Sequence, residues 1–244
     1  MRTPPYPEIY YDLHIHSCLS PCADDDMTVN NIIRMSMLNG LNLVALTDHN
    51  TAKNCPAFLK AAVRLGQNAL PGMELCTAEE VHIVCLFPNL PLAMGFDRYV
   101  ESRLPKIPNK KEIFGRQLLL DEQDRITGEL PNLLITATTI SIDEVPALVR
   151  RFRGIAFPAH ADRDSYSILS MLGFILPQWG FRAVELIQPT AFLQSKRADR
   201  VQGLHILQNS DAHNLWSIKD QDDGPPLYME APSFASLNHY LNQK

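Results

Sequence analysis

Asp12-Leu13-His14-Ile15-His16 closes an apolar run that begins at Ile9. Side chains two residues apart on a β-strand share a face, so His14 and His16 are placed to grip one ion together. A His-x-His pair is a weak signal by itself, because two surface imidazoles on a strand read the same way. It gains weight from Asn209-Ser210-Asp211-Ala212-His213, near the other end of the chain, which repeats the spacing with a carboxylate and an imidazole.

The chain around these segments has 244 residues, 45% hydrophobic and 20% charged, which suits one folded domain over residues 1–244 with a full core. No apolar run approaches the roughly 18 to 20 residues that span a bilayer, and Met1-Arg2-Thr3-Pro4-Pro5 opens no signal-peptide pattern, so a cytoplasmic protein without membrane contact is expected. Five cysteines, Cys18, Cys22, Cys55, Cys76 and Cys85, are an odd number without an export signal and read as thiols. A net charge of −5 argues against a non-specific nucleic-acid coat, which needs a basic stripe, but leaves phosphorylated substrates open. Oligomeric state is not legible.

Strand-like and helix-like runs alternate, which predicts an α/β fold built on a parallel sheet or barrel. Residues 9–14 read as the first strand. Residues 28–39 read as a helix capped by Thr28 and stopped by Gly40, residues 41–47 as a buried strand ending at Asp48-His49, and residues 56–65 as a helix stopped by Gly66. Ala69 to Glu74 leads to a carboxylate, and residues 81–87 form a strand with His82 at its start. After Pro88 the pattern breaks. Prolines at 88, 91, 105, 108 and 131, with Lys106, Lys110 and Lys111 and a hairpin around Asp121-Glu122-Gln123-Asp124, read as an insertion over about 88–132 that caps the site. Ser141-Ile142-Asp143-Glu144 reads as a capping box that starts a helix running to about Arg153. Strands at 155–158, 183–187 and 204–208 then lead to His160 and to Asp211 and His213.

Polar residues gather just past these strands, where α/β folds place their active sites. Together they are His14, His16, Asp24, His49, Glu74, His82, His160, Asp211 and His213, which include six of the eight histidines. Imidazole mixed with carboxylate suits zinc, manganese or iron, whereas calcium and magnesium use oxygen donors almost alone.

These motifs resemble the PHP (polymerase and histidinol phosphatase) superfamily of metal-dependent phosphoesterases. The matching segments, in the family's order, are Asp12-Leu13-His14-Ile15-His16-Ser17, Thr47-Asp48-His49-Asn50, Gly72-Met73-Glu74-Leu75, Val81-His82, Pro158-Ala159-His160 and Asn209-Ser210-Asp211-Ala212-His213. The resemblance implies a distorted seven-stranded (β/α)7 barrel with two to three divalent metals at the strand C-termini. It implies that His14, His16, Glu74 and Asp211 hold the first, that Glu74 bridges to a second completed by His82 and His160, and that Asp24, His49 and His213 hold the third. Relatives place the third-metal ligand in a Ser-Asp-Gly segment; here Leu19-Ser20-Pro21-Cys22-Ala23-Asp24 intervenes. Aligning the helix start at Met27-Thr28-Val29 selects Asp24, with Asp25 and Cys22 as alternatives.

Other residues have plainer readings. His14, His16, Cys18 and Cys22 would make a compact zinc knuckle, but that leaves His49, His160 and His213 unexplained. Asp12 and Asp48 read as acceptors that orient ligand imidazoles, or as ordinary caps. Arg163 and Arg197 are candidates for binding substrate phosphate, with a surface ion pair and a solvated helix face as the plain alternatives; Arg200 and the three lysines read as solvated. His205 and His239 belong to no motif.

Three carboxylates with three divalent ions leave a site of about +3, which attracts phosphate. Metals roughly 3.5 to 4 Å apart lower the pKa of a bridging water and clamp phosphoryl oxygens. The resemblance therefore implies hydrolysis of a phosphate ester of a small metabolite or nucleotide by attack of metal-bound hydroxide, with His14, His16, Glu74, His160 and Asp211 at the reacting centre. Alternatives are a histidinol-phosphate phosphatase, a nuclease on short oligonucleotides, and a non-catalytic metal-binding regulatory module.

Overall fold

The computed structural model describes residues 6–243, and the reading of residues 1–5 falls outside them. Seven strands position the site: β1 (Tyr11–Ile15), β2 (Leu43–Leu46), β3 (Asn68–Cys76), β4 (His82–Leu86), β5 (Ile155–Pro158), β6 (Ala183–Glu185) and β7 (His205–Leu207). The first five form one curled half-barrel sheet in chain order, and β6 and β7 form a separate parallel pair. Beyond the ends of β5 and β7 the two sheets meet: Ala161 N–H donates to the Glu185 carbonyl at 2.8 Å, and Ile15 bridges Ala212. The α/β reading holds, while continuous ladders join five strands rather than the expected seven.

The expectation of a parallel sheet needs a correction. Strand β4 runs antiparallel to both β3 and β5. The short turn at 77–81 decides this, because a parallel return requires a crossover of roughly a dozen residues or more. Its reversal has a functional consequence: the start of β4 lies at the same rim as the end of β3, with His82 paired to Cys76.

Alternation along the strands separates two apolar cores. Leu43, Ala45, Leu70, Val84, Leu86, Phe157, Ala183 and Leu207 join Tyr11 and Leu13 in one cluster, so every strand contributes to it. Their neighbours Val44, Leu46, Met73, Leu75, Ile83 and Val184 pack against helices in the other. In β3, Leu70 therefore shares its face with Glu74, and in β6 Ala183 shares its face with Glu185. A register shift between Asp12 and Ile15 breaks the regular alternation of β1.

Helices α1 (Val29–Leu38) and α2 (Cys55–Leu65) form as read. The Thr28 side chain accepts from Asn31 N–H, and α2 ends at Gly66 with φ +80°, which a side chain would oppose. The region after Pro88 does not break down: α3 (Leu90–Arg103) occupies its first third. Pro91 lies in its first turn, where the missing N–H costs nothing, and Asn89 caps it by accepting from Leu92 N–H at 3.1 Å. The hairpin is present, as Leu118–Leu120 against Ile126–Glu129. Half of the capping box forms: Glu144 accepts from Ser141 N–H at 2.9 Å, but α4 (Val145–Arg151) begins one turn later. All five cysteines are free. Among the described residues no helix is long and apolar enough to cross a membrane.

Candidate metal centre

Glu74 is the hub. Its carboxylate is buried, with Oε1 2.9 Å from His82 Nδ1, 3.2 Å from His160 Nε2 and 3.3 Å from His14 Nε2, and with Oε2 2.8 Å from His49 Nδ1 and 3.3 Å from His16 Nε2. Asp211 Oδ1 lies 3.2 Å from both His14 Nε2 and His16 Nε2, which are themselves 3.2 Å apart. Two imidazole nitrogens at that separation repel unless a proton or a cation lies between them. Three groups of ligand atoms result: His14, His16, Glu74 and Asp211; His49, Glu74 and His82; and His16, His49 and His213.

Fit to a metal can be tested on unsatisfied atoms. Glu74 Oε2, Asp211 Oδ1, His49 Nδ1 and His160 Nδ1 are buried and make no hydrogen bond, even though Glu74 Oε2 and His49 Nδ1 are only 2.8 Å apart, whereas buried polar atoms are nearly always hydrogen-bonded. Nitrogen and carboxylate oxygen converging in this way fit divalent transition metals.

Glu185, which the sequence reading missed, orients the first group. It is fully buried, and both its oxygens lie 3.0 Å from His14 Nδ1. It also accepts from His160 N–H at 2.8 Å and from the Asn209 amide at 2.7 Å. Holding Nδ1–H this way frees His14 Nε2 for a metal. Its only signal in the sequence is a lone carboxylate inside the apolar stretch Ala183-Val184-Glu185-Leu186-Ile187. Asp48 acts through an intermediary: Ser20 Oγ lies 2.9 Å from His16 Nδ1 and donates to Asp48 at 2.8 Å. Asp12 orients no imidazole. Its carboxylate accepts from Ser210 N–H and Oγ and from Lys219 N–H, tying β1 to the loop that carries Asp211.

His160 at φ +28° and Asp211 at φ +53° lie in the left-handed region, which costs side-chain-bearing residues about 1–3 kcal/mol. Asn50, at φ +52°, follows His49. Its amide donates to the Leu134 and Thr136 carbonyls at 2.7 and 2.9 Å and accepts from Cys76 N–H at 2.9 Å, which fixes the intervening Ile135 at the site.

Asp24 is not brought into the cluster. It is exposed, and its contact there is through the main chain, Asp24 N–H donating to the His213 carbonyl at 2.9 Å. Asp25 pairs with Arg116 at 3.4 Å. Cys22 instead lines the cavity over the candidate ligands, about 220 Å³, together with His49, Glu74, His82, His160, Asp211 and His213. Ile135, Arg163, Ser165 and Tyr166 complete the wall, and the Tyr166 ring stacks on His82 at 4.8 Å between centroids. No residue of 88–132 lines this cavity, so the segment read as its cap supports it from outside: Leu118 O and Leu120 N–H bond to Asn54, whose amide also reaches Ser17.

Arg163 Nη1 reaches Asp211 Oδ2 at 2.5 Å, leaving Oδ1 for a metal. Arg197 lies elsewhere, in a neighbouring cavity that also includes Arg163. Arg200 turns toward Asp199 and the Gly173 carbonyl, and Lys106, Lys110 and Lys111 stay outside the metal cavity. His205 Nε2–H donates to the Gln243 carbonyl at 3.1 Å, in a structural contact.

Charge within the cluster is strongly coupled. Burial alone would lower His14 and His16, but carboxylates reverse it: Glu185, Asp211 and Glu74 raise His14 well above 6.5, and the adjacent Asp211 and Glu74 carboxylates raise His16 to about 9. Burial dominates at His49, lowered to about 4, and at His213, lowered to about 3. Despite burial, Glu74 and Asp211 are held well below the ordinary carboxylate range by the surrounding imidazoles.

Residues 12–130 match the PHP domain family model. The chain carries a PHP domain. A search of curated proteins finds no significant match. Among solved structures, the PHP chain is similar to a lesion-specific endonuclease of Pyrococcus furiosus, at TM-score 0.65 and 19% identity over 94% of this chain and 54% of that one. It is similar to endonuclease Q bound to a 27-mer duplex with an abasic lesion at the active site, at TM-score 0.59 and 21% identity over 84% of this chain and 49% of that one. A Bifidobacterium adolescentis protein described as a metal-dependent phosphoesterase gives TM-score 0.59 and 17% identity over 97% and 96%. The PHP chain thus spans about half the length of the endonuclease chains and nearly all of the phosphoesterase. At these identities the likeness is one of fold.

Proposed function

We propose that this protein is a metal-dependent hydrolase that cleaves a phosphate ester of a small metabolite or nucleotide. The observation that carries the reading is the convergence of six histidines on Glu74 and Asp211, with Glu74 Oε2 and Asp211 Oδ1 buried and unpaired. His14, His16, Glu74 and Asp211 would hold one divalent ion, and Glu74 with His49, His82 and His160 a second; His16, His49 and His213 suit a third. Zinc, manganese or iron bound there would supply Lewis acidity toward phosphoryl oxygens and acidify water.

The chain's own residues have separate tasks. Glu74 and Asp211 remain ionised because the imidazoles hold them so, and Glu185 and Ser20 fix the rings of His14 and His16. Arg163, half exposed at the cavity wall, would bind a non-bridging phosphate oxygen through the part of its fork that Asp211 does not occupy. Hydrolysis breaks the bond from phosphorus to the leaving oxygen and forms one to the oxygen of water; the leaving oxygen gains a proton and the water loses one. Ile135 and Tyr166 line the cavity beside the candidate ligands, and its volume of about 220 Å³ favours a small leaving group.

Nuclease action on short oligonucleotides is the second reading, supported by likeness of fold to endonuclease Q with its duplex substrate. An acidic chain with net charge −5 weighs toward small substrates.

Metal analysis of protein purified without chelator, followed by a phosphatase screen with manganese or zinc, tests the proposal. Two to three metals per chain and phosphate release abolished by Asp211→Ala and His160→Ala are expected. Metal-free protein that releases phosphate from nothing, or variants with wild-type turnover, would overturn it.

A further inference from the structure

Beside the metal cavity lies a second one of about 360 Å³, lined by Asp162, Arg163, Ile187, Gln188, Ala191, Phe192, Ser195 and Arg197. Arg163 belongs to the walls of both, so the two spaces are adjacent across one guanidinium. That guanidinium already touches Asp211 Oδ2 at 2.5 Å.

The second cavity holds one cation, Arg197, without an ion-pair partner among the described residues, whereas Arg163 is paired with Asp211. Arg197 lies over the Phe192 ring, 5.4 Å from its centroid, which steadies the guanidinium plane without consuming its donors. Among the described residues no carboxylate comes within ion-pair reach of Arg197. The one carboxylate of the wall, Asp162, accepts from Ile187 N–H at 3.0 Å and from Gln188 N–H at 2.7 Å, one oxygen each, so it is turned into the loop after β6. The Arg197 fork, the part of Arg163 that Asp211 leaves free, the Gln188 side chain and the Ser195 hydroxyl, which accepts from Arg197 N–H at 3.1 Å and can still donate, are the polar groups available to a ligand there.

The geometry points to a second phosphate subsite: the substrate's leaving group carries another phosphate, held by Arg197, with Arg163 at the boundary shared between it and the scissile phosphate at the metals. This rests on the phosphoesterase reading and narrows its substrate to compounds with two phosphates. A bisphosphorylated metabolite and a short oligonucleotide share that chemistry.

The test uses the manganese-loaded full chain and two substrate pairs, fructose 1,6-bisphosphate with fructose 6-phosphate, and the dinucleotide pdTpdT with dTMP. In at least one pair the two-phosphate member is expected to have about tenfold higher kcat/KM, the pair identifying the source. Arg197→Ala reduces that ratio to within about twofold of unity, and Arg197→Lys restores part of it. Equal kcat/KM within each pair, or a preference that survives Arg197→Ala, overturns the subsite while leaving the phosphoesterase reading intact. Titration with inorganic phosphate decides independently of turnover. Two phosphates per chain, one of them lost in Arg197→Ala, support the subsite even if no probe is hydrolysed; a single phosphate insensitive to Arg197 overturns it.

Discussion

Glu185 holds His14 from behind, both carboxylate oxygens 3.0 Å from Nδ1, so that Nε2 is the nitrogen turned to Glu74 and Asp211. The pair is fully buried, and the carboxylate also takes the His160 N–H and the Asn209 amide. One side chain therefore positions two candidate metal ligands and the loop of a third.

Replacing Glu185 by Gln keeps the volume but presents an amide that cannot accept at both positions. Outer contacts of this kind are worth about 10- to 100-fold in metal affinity. Chelator competition should show a loss in that range at the first group, with the fold retained by circular dichroism. Unchanged affinity would mean that Glu185 is a packing residue only.

Proton release should separate the metal groups. His14 and His16 are raised by their carboxylates, His16 to about 9, and carry protons at neutral pH, whereas His49 and His213, at about 4 and 3, do not. Metal must displace the former, so affinity at the first group rises with pH. Calorimetry in buffers of different ionisation enthalpy is expected to detect net proton release there in wild type. No release on filling the first group would contradict the assignment.

Stability of the metal-free protein should depend on pH through the same groups. The raised pKa of His16 contributes stability that is fully present below 6.5 and disappears as pH rises through about 9. Glu74 and Asp211, held low, contribute above the ordinary carboxylate range and lose that contribution on acidification. Thermal melts after chelation should therefore show Tm falling between pH 6.5 and about 9, and metal loading should remove the fall. A Tm that climbs over this window in the chelated protein would count against the charge pattern.

The third group distinguishes Asp24 from the histidines. His213→Ala or His49→Ala should reduce bound metal by at least one ion per chain by elemental analysis. Asp24→Ala, at an exposed position, should leave the count unchanged; if it loses a metal, the loop closes over the site on loading. Cys22→Ser, at the cavity wall, reports whether the thiol takes part.

Asn50 links His49 to the entrance loop through three hydrogen bonds. Asn50→Ala leaves the Leu134 carbonyl and Cys76 N–H unpaired at about 1–3 kcal/mol each, and gives up a residue tolerant of φ +52°. Denaturant unfolding is expected to show a loss of several kcal/mol; a change under about 0.5 kcal/mol, typical of neutral surface sites, would rule out this role.

What the sequence by itself determined is local. Strand alternation, the Thr28 cap and the Gly66 stop depend on neighbours a few residues apart, so β1, α1 and α2 were legible, as were the His14-x-His16 and Asp211-x-His213 pairs. Pro91 misled because a proline that ends one helix can start another, and only its cap partner tells which. Tertiary structure decided the rest. The reversed β4 brings His82, at a strand start, to the rim where the other strands end. The His14–Glu185 contact spans 171 residues of sequence, and no periodicity encodes a partner that far away. Asp24 and Cys22 are two residues apart and both exposed, yet only Cys22 lines the cavity. The main-chain hydrogen bond from Asp24 N–H to the His213 carbonyl, a partner far away in sequence, fixes the loop there, and the spacing of a local motif cannot encode it.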